Sequence, residues 1–100
     1  MTLSSKERAA LRAEAHHLAV KVHIGHQGTT PALIASVDDV LRTQELVKLQ
    51  TAKAGDLSAK EAAQELAEQL GAEVIQVIGR TFTLFRENPD LKRGELPPWR

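Results

Sequence analysis

Three helix-start signals, at residues 4, 30 and 58, lie at similar intervals along this chain of 100 residues. Residues 4–7 and 58–61 both read Ser-x-x-Glu, the spacing of a capping box, in which serine and glutamate each satisfy a backbone N–H group of the first helical turn. Thr30 followed by Pro31 is typical of an N-cap before a proline at the first helical position. The sequence therefore predicts three helices, one after each signal.

The segments between these helices have the pattern of strands. Apolar residues alternate with polar ones in residues 20–24, so Lys21 and His23 should point away from the buried side. Three further segments also resemble strands: residues 45–50, 72–78 and 81–86. Gly79 suits the first central position of a type II′ hairpin turn between the last two. The order α-β-α-β-α-β-β predicts an α/β (α+β) fold with a mixed four-stranded sheet, and the first helix could cover either face.

Apolar spacing also predicts which side chains are buried. The first helix is expected to bury Ala10, Leu11, Ala15 and Leu18, and to leave Lys6, Arg8 and Arg12 on its open side. The second helix should direct Asp38, Asp39 and Arg42 to solvent. Phe82 and Phe85 should lie on opposite faces of the sheet, because an odd spacing along a strand changes the face.

The length of the chain and its lack of cysteine limit what it can be. One hundred residues supply a single core, and we expect one domain over residues 1–87. Proline and glycine interrupt regular patterns in residues 88–100, which predicts a flexible tail that includes Trp99. No apolar run is long enough to cross a bilayer, and with no cysteine there is no disulfide. We expect a cytoplasmic monomer without a cofactor.

Charge is balanced overall and uneven along the chain. Thirteen basic side chains oppose thirteen acidic ones, whereas nucleic-acid binders often carry a basic excess. Residues 1–28 carry four basic and two acidic side chains, and residues 75–100 carry five and three. Residues 58–74, in contrast, carry one basic and four acidic side chains. A fold that brings the two ends of the chain together would therefore have a polarised surface.

One loop has the residues of an anion-binding corner. Gly25-His26-Gln27-Gly28 joins a predicted strand to a predicted helix N-terminus. Two glycines permit a sharp turn and a close backbone approach, and the helix N-terminus presents unpaired N–H groups to an anion such as phosphate. The KH module of RNA-binding proteins clamps the nucleic-acid backbone with a GXXG loop of this kind. The same loop could also be only a tight turn between a strand and a helix.

Several segments, taken in order, resemble the CRM-domain proteins and, among them, the short bacterial single-domain YhbY members. The resemblance covers about residues 3–86 and includes Ile24-Gly25-x-x-Gly28 before the second helix. Its other segments are Ala15-His16-His17-Leu18, Glu45-Leu46-Val47-Lys48, Gly71-Ala72-Glu73, Val77-Ile78-Gly79-Arg80-Thr81 and Leu84-Phe85-Arg86. The chain departs from these relatives at Ala19-Val20, where a Lys-Pro pair is common, and at His26, where lysine or serine is frequent.

This resemblance implies a fold related to the C-terminal domain of a bacterial translation initiation factor. It also implies RNA binding, with ribosomal RNA in precursors of the large subunit as the partner. The resemblance implies RNA contacts most directly at Gly25 and Gly28, and next at Lys48 and Arg80. Together with the loop and the basic residues near the N-terminus, the candidate RNA-binding residues are Lys6, Arg12, Lys21, Gly25, His26, Gln27, Gly28, Thr30, Lys48 and Arg80.

Other functions are less well supported by the sequence. Four histidines, at positions 16, 17, 23 and 26, are the one cluster that could suggest a metal, but a structural zinc site needs more support from cysteines or acids. Ser4, Ser5 and Ser58 are assigned to helix caps and Ser36 to a helix surface, which leaves no set of nucleophile, base and orienting group. An enzyme and a small-molecule substrate are therefore not expected. The main alternative is a protein-interaction module that does not bind RNA.

Overall fold

A computed structural model describes residues 3–25, 27–52 and 58–90. In this part of the chain the elements follow the predicted order, which confirms the α+β class. The helices are α1 (Ser5–Ala15), α2 (Pro31–Gln44) and α3 (Ala59–Leu70), and the strands are β1 (Val22–Ile24), β2 (Leu46–Thr51), β3 (Glu73–Ile78) and β4 (Thr81–Phe85). His26 and the predicted tail from residue 91 onward, with Trp99, lie outside the described residues.

The sheet is mixed and has the strand order β1-β2-β4-β3. β1 pairs parallel with β2, and β4 pairs antiparallel with both β2 and β3. Ile24 is therefore level with Thr51, and Thr81 is level with Gln50. The end of β1, the end of β2 and the turn from β3 to β4 consequently meet at one end of the sheet, which we call the loop end.

The predicted helix caps are present. In both capping boxes the serine hydroxyl accepts the glutamate N–H and the glutamate carboxylate accepts the serine N–H, at distances of 3.0–3.3 Å. At the start of α2, Thr30 Oγ1 accepts the Leu33 N–H at 3.2 Å, and Pro31 follows the cap. α3 ends at Gly71, whose φ of 64° is the left-handed conformation that favours glycine. None of the helices in the described part is long and apolar enough to span a membrane.

The turn between β3 and β4 has the predicted form. Gly79 has a φ of 58°, while Arg80 has no positive φ, as a type II′ turn requires. The junction of α2 and β2 differs from the prediction, which placed Glu45 in the strand. Glu45 instead caps α2 with a φ of 64°, because the chain reverses from helix to strand through this single residue.

Two hydrophobic cores lie on opposite faces of the sheet. α2 and α3 cover one face, over a core of Ile24, Val37, Leu41, Val47, Leu49, Ala62, Ala63, Leu66, Phe82 and Leu84 with Ala59 at its margin. α1 covers part of the other face, over Leu3, Leu11, Leu46, Ile75 and Phe85. The sequence did not determine which face of the sheet α1 would cover. In the structure, α1 lies on the face opposite α2 and α3. Phe82 and Phe85 are buried on different faces, as predicted.

The prediction for the surface of α1 was partly wrong. Leu11 and Ala15 are buried, but Ala10 is exposed, because it is turned about 100° from Leu11 around the helix axis. Arg8, expected on the open side, is half-buried: its guanidinium donates to Glu73 Oε2 at 2.7 Å and to the carbonyl of Val74 at 3.2 Å. Arg8 thus fastens α1 to the outer strand β3.

A second arginine joins α2, α3 and β4 at the end of the sheet opposite the loop end. Arg86 donates to Asp38 Oδ1 at 2.8 Å and to the carbonyl of Leu70 at 3.0 Å. Asp38 is therefore part of an interhelical contact, contrary to the prediction of a solvated side chain. Nearby, Glu45 is fully buried and its Oε2 accepts the N–H of Asn88 at 2.6 Å. The packed chain thus continues at least to Asn88, one residue past the predicted domain boundary.

Candidate nucleic-acid interface

The loop end of the sheet brings together two of the predicted site regions. The glycine loop, residues 25–28, follows β1, and the hairpin with Arg80 projects beside it. Backbone hydrogen bonds connect both to the end of β2: the Ala52 N–H donates to the carbonyl of Ile24 at 3.1 Å, and the Thr51 N–H donates to the carbonyl of Arg80 at 2.9 Å. The Arg80 side chain is exposed, and no ion pair from it occurs within the described residues.

Backbone hydrogen bonds connect the described residues of the glycine loop to one another and to the start of α2. The Gly28 N–H donates to the carbonyl of Gly25 at 3.1 Å, and the Thr30 N–H donates to the carbonyl of Gly28 at 3.1 Å. Gly28 has a φ of 71°, which a residue with a Cβ rarely adopts. At Gly25 a Cβ would meet open space, so that glycine leaves its backbone accessible instead of avoiding a clash.

The start of α2 and the glycine loop together form the candidate anion-binding corner. Pro31 has no N–H group, and Thr30 already satisfies that of Leu33, so the N–H of Ala32 is left without a hydrogen bond among the described residues. Ala32 is exposed, and the dipole of α2 makes this terminus partly positive. The corner therefore offers an anion a backbone donor and a favourable potential.

A shallow groove of about 510 Å³ runs along this corner. Its lining combines loop residues with the first turns of α2: His23, Gly25, Gln27, Gly28, Thr30, Ala32, Leu33 and Ser36. The groove is open to solvent, and Gln27 on its wall is exposed. An extended chain that carries phosphates would fit such a groove better than an enclosed small molecule.

The sheet face next to the groove is uncovered at the loop end. His23, Gln50, Thr81 and Ile78 are level with one another on the four strands and therefore share a face. Val22 and Ile24, on either side of His23, pack toward α2 and α3, so this row lies on the opposite face. Ile78 keeps 54% of its surface exposed, which shows that α1 leaves this corner of the sheet open.

Two lysines lie near the other end of β1. Lys21 is level with Lys48 on β2, and the Lys21 N–H donates to the carbonyl of Lys48 at 2.9 Å. Lys48 Nζ donates to the carbonyl of Ala15 at 3.3 Å, so this cation stabilises the C-terminal end of α1. Lys21 is exposed and lies about 13 Å from Gly25 along the strand.

The remaining predicted residues are not part of the corner. Lys6 and Arg12 are exposed on α1, which packs over Leu46 and Phe85, at the end of the sheet away from the loop end. The structure also reveals a contact that the sequence prediction missed: Thr29 Oγ1 donates to Glu65 Oε1 of α3 at 2.6 Å. No local pattern could identify this pair, because the two residues are 36 positions apart.

The histidines do not assemble a metal site in the described part of the chain. His16 caps α1, His17 follows it, and His23 lies on β1, all three with exposed side chains. No group of three or more potential ligands occurs among residues 3–25, 27–52 and 58–90.

Comparison with known proteins places this fold among relatives named for RNA binding. The chain is 28% identical over 95 residues to the probable RNA-binding protein YqeI of Bacillus subtilis, covering 95% of this chain and 99% of that one. It is 38% identical over 93 residues to the probable RNA-binding protein MJ0652 of Methanocaldococcus jannaschii, covering 91% and 69%. An RNA-binding protein of Haemophilus influenzae is 30% identical over 91 residues, covering 91% and 92%.

A solved structure shares the fold. The solution structure of the hypothetical protein SAV1595 from Staphylococcus aureus superposes with a TM-score of 0.67 at 30% identity, and the match covers 91% of this chain and 95% of that one. The model of the CRS1/YhbY (CRM) domain matches residues 3–86, which span all three helices and all four strands described above. This chain therefore belongs to the CRS1/YhbY (CRM) domain family.

Proposed function

We propose that this protein binds RNA through the loop end of its sheet, with the glycine loop as the main contact to the RNA backbone. The observation that carries the proposal is the junction at which the exposed Gly25 and the half-buried Gly28 lead into the N-terminus of α2, next to the exposed Ala32, whose N–H makes no hydrogen bond among the described residues. The relatives named as RNA-binding proteins support the same ligand. Arg80, on the adjacent hairpin, supplies a cation to the same RNA.

The RNA backbone would pass along the groove and over the uncovered sheet corner. His23 belongs to both surfaces, since it lines the groove and starts the open row on the sheet. Lys21 would add a cationic contact before the start of β1, His26 would contact the RNA as a residue of the loop itself, and Gln27 and Thr30 would add polar contacts. Lys48, Lys6 and Arg12 lie farther from the groove, so we assign them secondary contacts.

The proposed target is ribosomal RNA in precursors of the large ribosomal subunit, which makes the protein an assembly factor. The resemblance to the YhbY members supports this target. A balanced net charge is consistent with it, because shape and backbone recognition by a loop of amides needs less positive charge than binding by side chains alone.

Substitution of Gly28 by Asp tests the role of the loop. Gly28→Asp puts a carboxylate next to the phosphate position and should weaken RNA binding roughly tenfold or more. Gly71→Asp is a matched control: Gly71 has a similar positive φ and is exposed, but it ends α3 away from the loop end. Binding is measured with a fragment of large-subunit ribosomal RNA. An equal affinity of the two variants would contradict the role of the loop.

Salt dependence and cosedimentation test the ligand class and the target. Affinity for RNA should fall steeply as salt rises, since phosphate contacts release counterions. In cell extracts, the protein should sediment with immature large subunits more than with mature ones. An affinity that changes neither with salt concentration nor with the Gly28→Asp substitution would favour the protein-interaction module instead.

A further inference from the structure

A single hydrogen bond between side chains ties the glycine loop to α3. Thr29 Oγ1 donates to Glu65 Oε1 at 2.6 Å, and the contact is partly buried. Thr29 stands between Gly28, with its positive φ, and Thr30, the N-cap of α2. This hydrogen bond therefore fixes the segment that leads from the loop into the helix.

Glu65 also places a negative charge beside a corner that favours anions. Among the described residues, the ion pairs are made by Arg8, Arg42 and Arg86, and none of them involves Glu65. A hydroxyl donor stabilises a carboxylate without neutralising it. Thr29, which contacts this carboxylate, adjoins Gly28, and consecutive Cα atoms are about 3.8 Å apart, so a phosphate bound at Gly28 would lie within roughly 10 Å of the carboxylate. At that distance the repulsion is only partly screened.

We propose that Glu65 is a positioning residue that sets the affinity of the glycine loop for RNA. Its hydrogen bond to Thr29 holds the loop in its binding shape, while its charge weakens the attraction for phosphate. The inference rests on the proposed function of the loop. Together, the two effects give a loop with a fixed conformation and only a moderate affinity for phosphate. Stable RNA binding therefore requires further contacts, such as those with Arg80.

Glu65→Gln separates charge from position, because the glutamine amide oxygen can still accept the Thr29 hydroxyl. This variant should bind a large-subunit ribosomal RNA stem-loop roughly threefold to tenfold more tightly at low salt. The gain should shrink as salt rises, because the lost repulsion was electrostatic. Glu68→Gln is the matched control: it removes the same charge from an exposed residue one turn farther along α3 and should change affinity much less.

Variants at Thr29 test the positioning role. Thr29→Val removes the donor and leaves the carboxylate in place, so RNA binding should weaken, while Thr29→Ser should restore it. Thermal unfolding of each variant establishes that the fold is retained. A purely structural Glu65 predicts wild-type affinity for Glu65→Gln at every salt concentration, which would overturn the proposal.

The outcomes distinguish this inference from the function on which it rests. If Gly28→Asp weakens RNA binding while Glu65→Gln and Glu68→Gln both bind like the wild type, the role of Glu65 is wrong and the RNA-binding loop stands. If the wild type does not bind the stem-loop, or Gly28→Asp binds it equally well, the proposed function fails and the role of Glu65 fails with it.

Discussion

The two ends of α2 differ in how they are held. At its C-terminal end, the buried Glu45 accepts the Asn88 N–H, and Arg86 connects Asp38 to the last carbonyl of α3. At its N-terminal end, an exposed glycine loop is held by a few backbone bonds and one side-chain contact. Polar groups at the first end are used by the protein itself, whereas those at the second remain available to a ligand. The open end is where binding is expected.

The largest expected effect comes from the closed end of α2. Arg86→Met removes hydrogen bonds to the side chain of Asp38 and to the carbonyl of Leu70, and should lower the free energy of unfolding by about 2–3 kcal/mol. Urea unfolding measures this loss. Under conditions where the variant is folded, its RNA affinity should equal that of the wild type. A large loss of RNA affinity in the folded variant would contradict the assignment of stability to one end of α2 and of RNA binding to the other.

A smaller effect on stability is expected at the open end. Thr30→Ala removes the hydroxyl that accepts the Leu33 N–H and should cost about 1 kcal/mol of unfolding free energy. The same change should weaken RNA binding severalfold, because the first turn of α2 frays at the proposed phosphate site. Comparison of the two variants by urea unfolding and RNA titration sharpens the contrast. It would be lost if Thr30→Ala destabilised the protein as much as Arg86→Met and left RNA affinity unchanged.

The smallest effect is expected at a helix end that belongs to neither region. The N–H of Ser4, and secondly its hydroxyl, hold the pKa of the Glu7 carboxyl below its ordinary value of 4.5. A lowered pKa in the folded state contributes stability above pH 4.5 that is lost as the pH falls through the folded-state pKa. The difference in urea midpoint between wild type and Glu7→Gln should therefore vanish on acidification. A difference that grew at low pH would contradict this assignment.

Local signals in the sequence were sufficient to predict most of the fold. Two helix starts are signalled by residues three positions apart, as with Ser58 and Glu61, and the third by the adjacent pair Thr30-Pro31. The hairpin turn depends on the conformational freedom of Gly79. Such signals act within one turn of chain and need no knowledge of the rest. The predicted strand at residues 20–24 is two residues longer than the observed strand β1, which covers Val22–Ile24.

Contacts between distant residues could not be predicted in the same way. Arg8 and Glu73 are 65 positions apart, and Arg86 and Asp38 are 48 positions apart, so their pairing depends on the finished packing. The candidate site shows both situations. The glycine loop was found from its own residues, whereas the contact of Thr29 with Glu65 emerges only when α3 packs beside the loop.

The strand that carries the glycine loop is the least supported one in the sheet. β1 has three residues and pairs with a neighbour on one side only. Backbone amides in such a strand open at a lower free energy than those of the central strands, so hydrogen exchange there should be fast and should slow when RNA binds. Local movement of β1 would then let the proposed binding site adapt to a bent nucleic-acid chain, while the interior strands β2 and β4 keep their register.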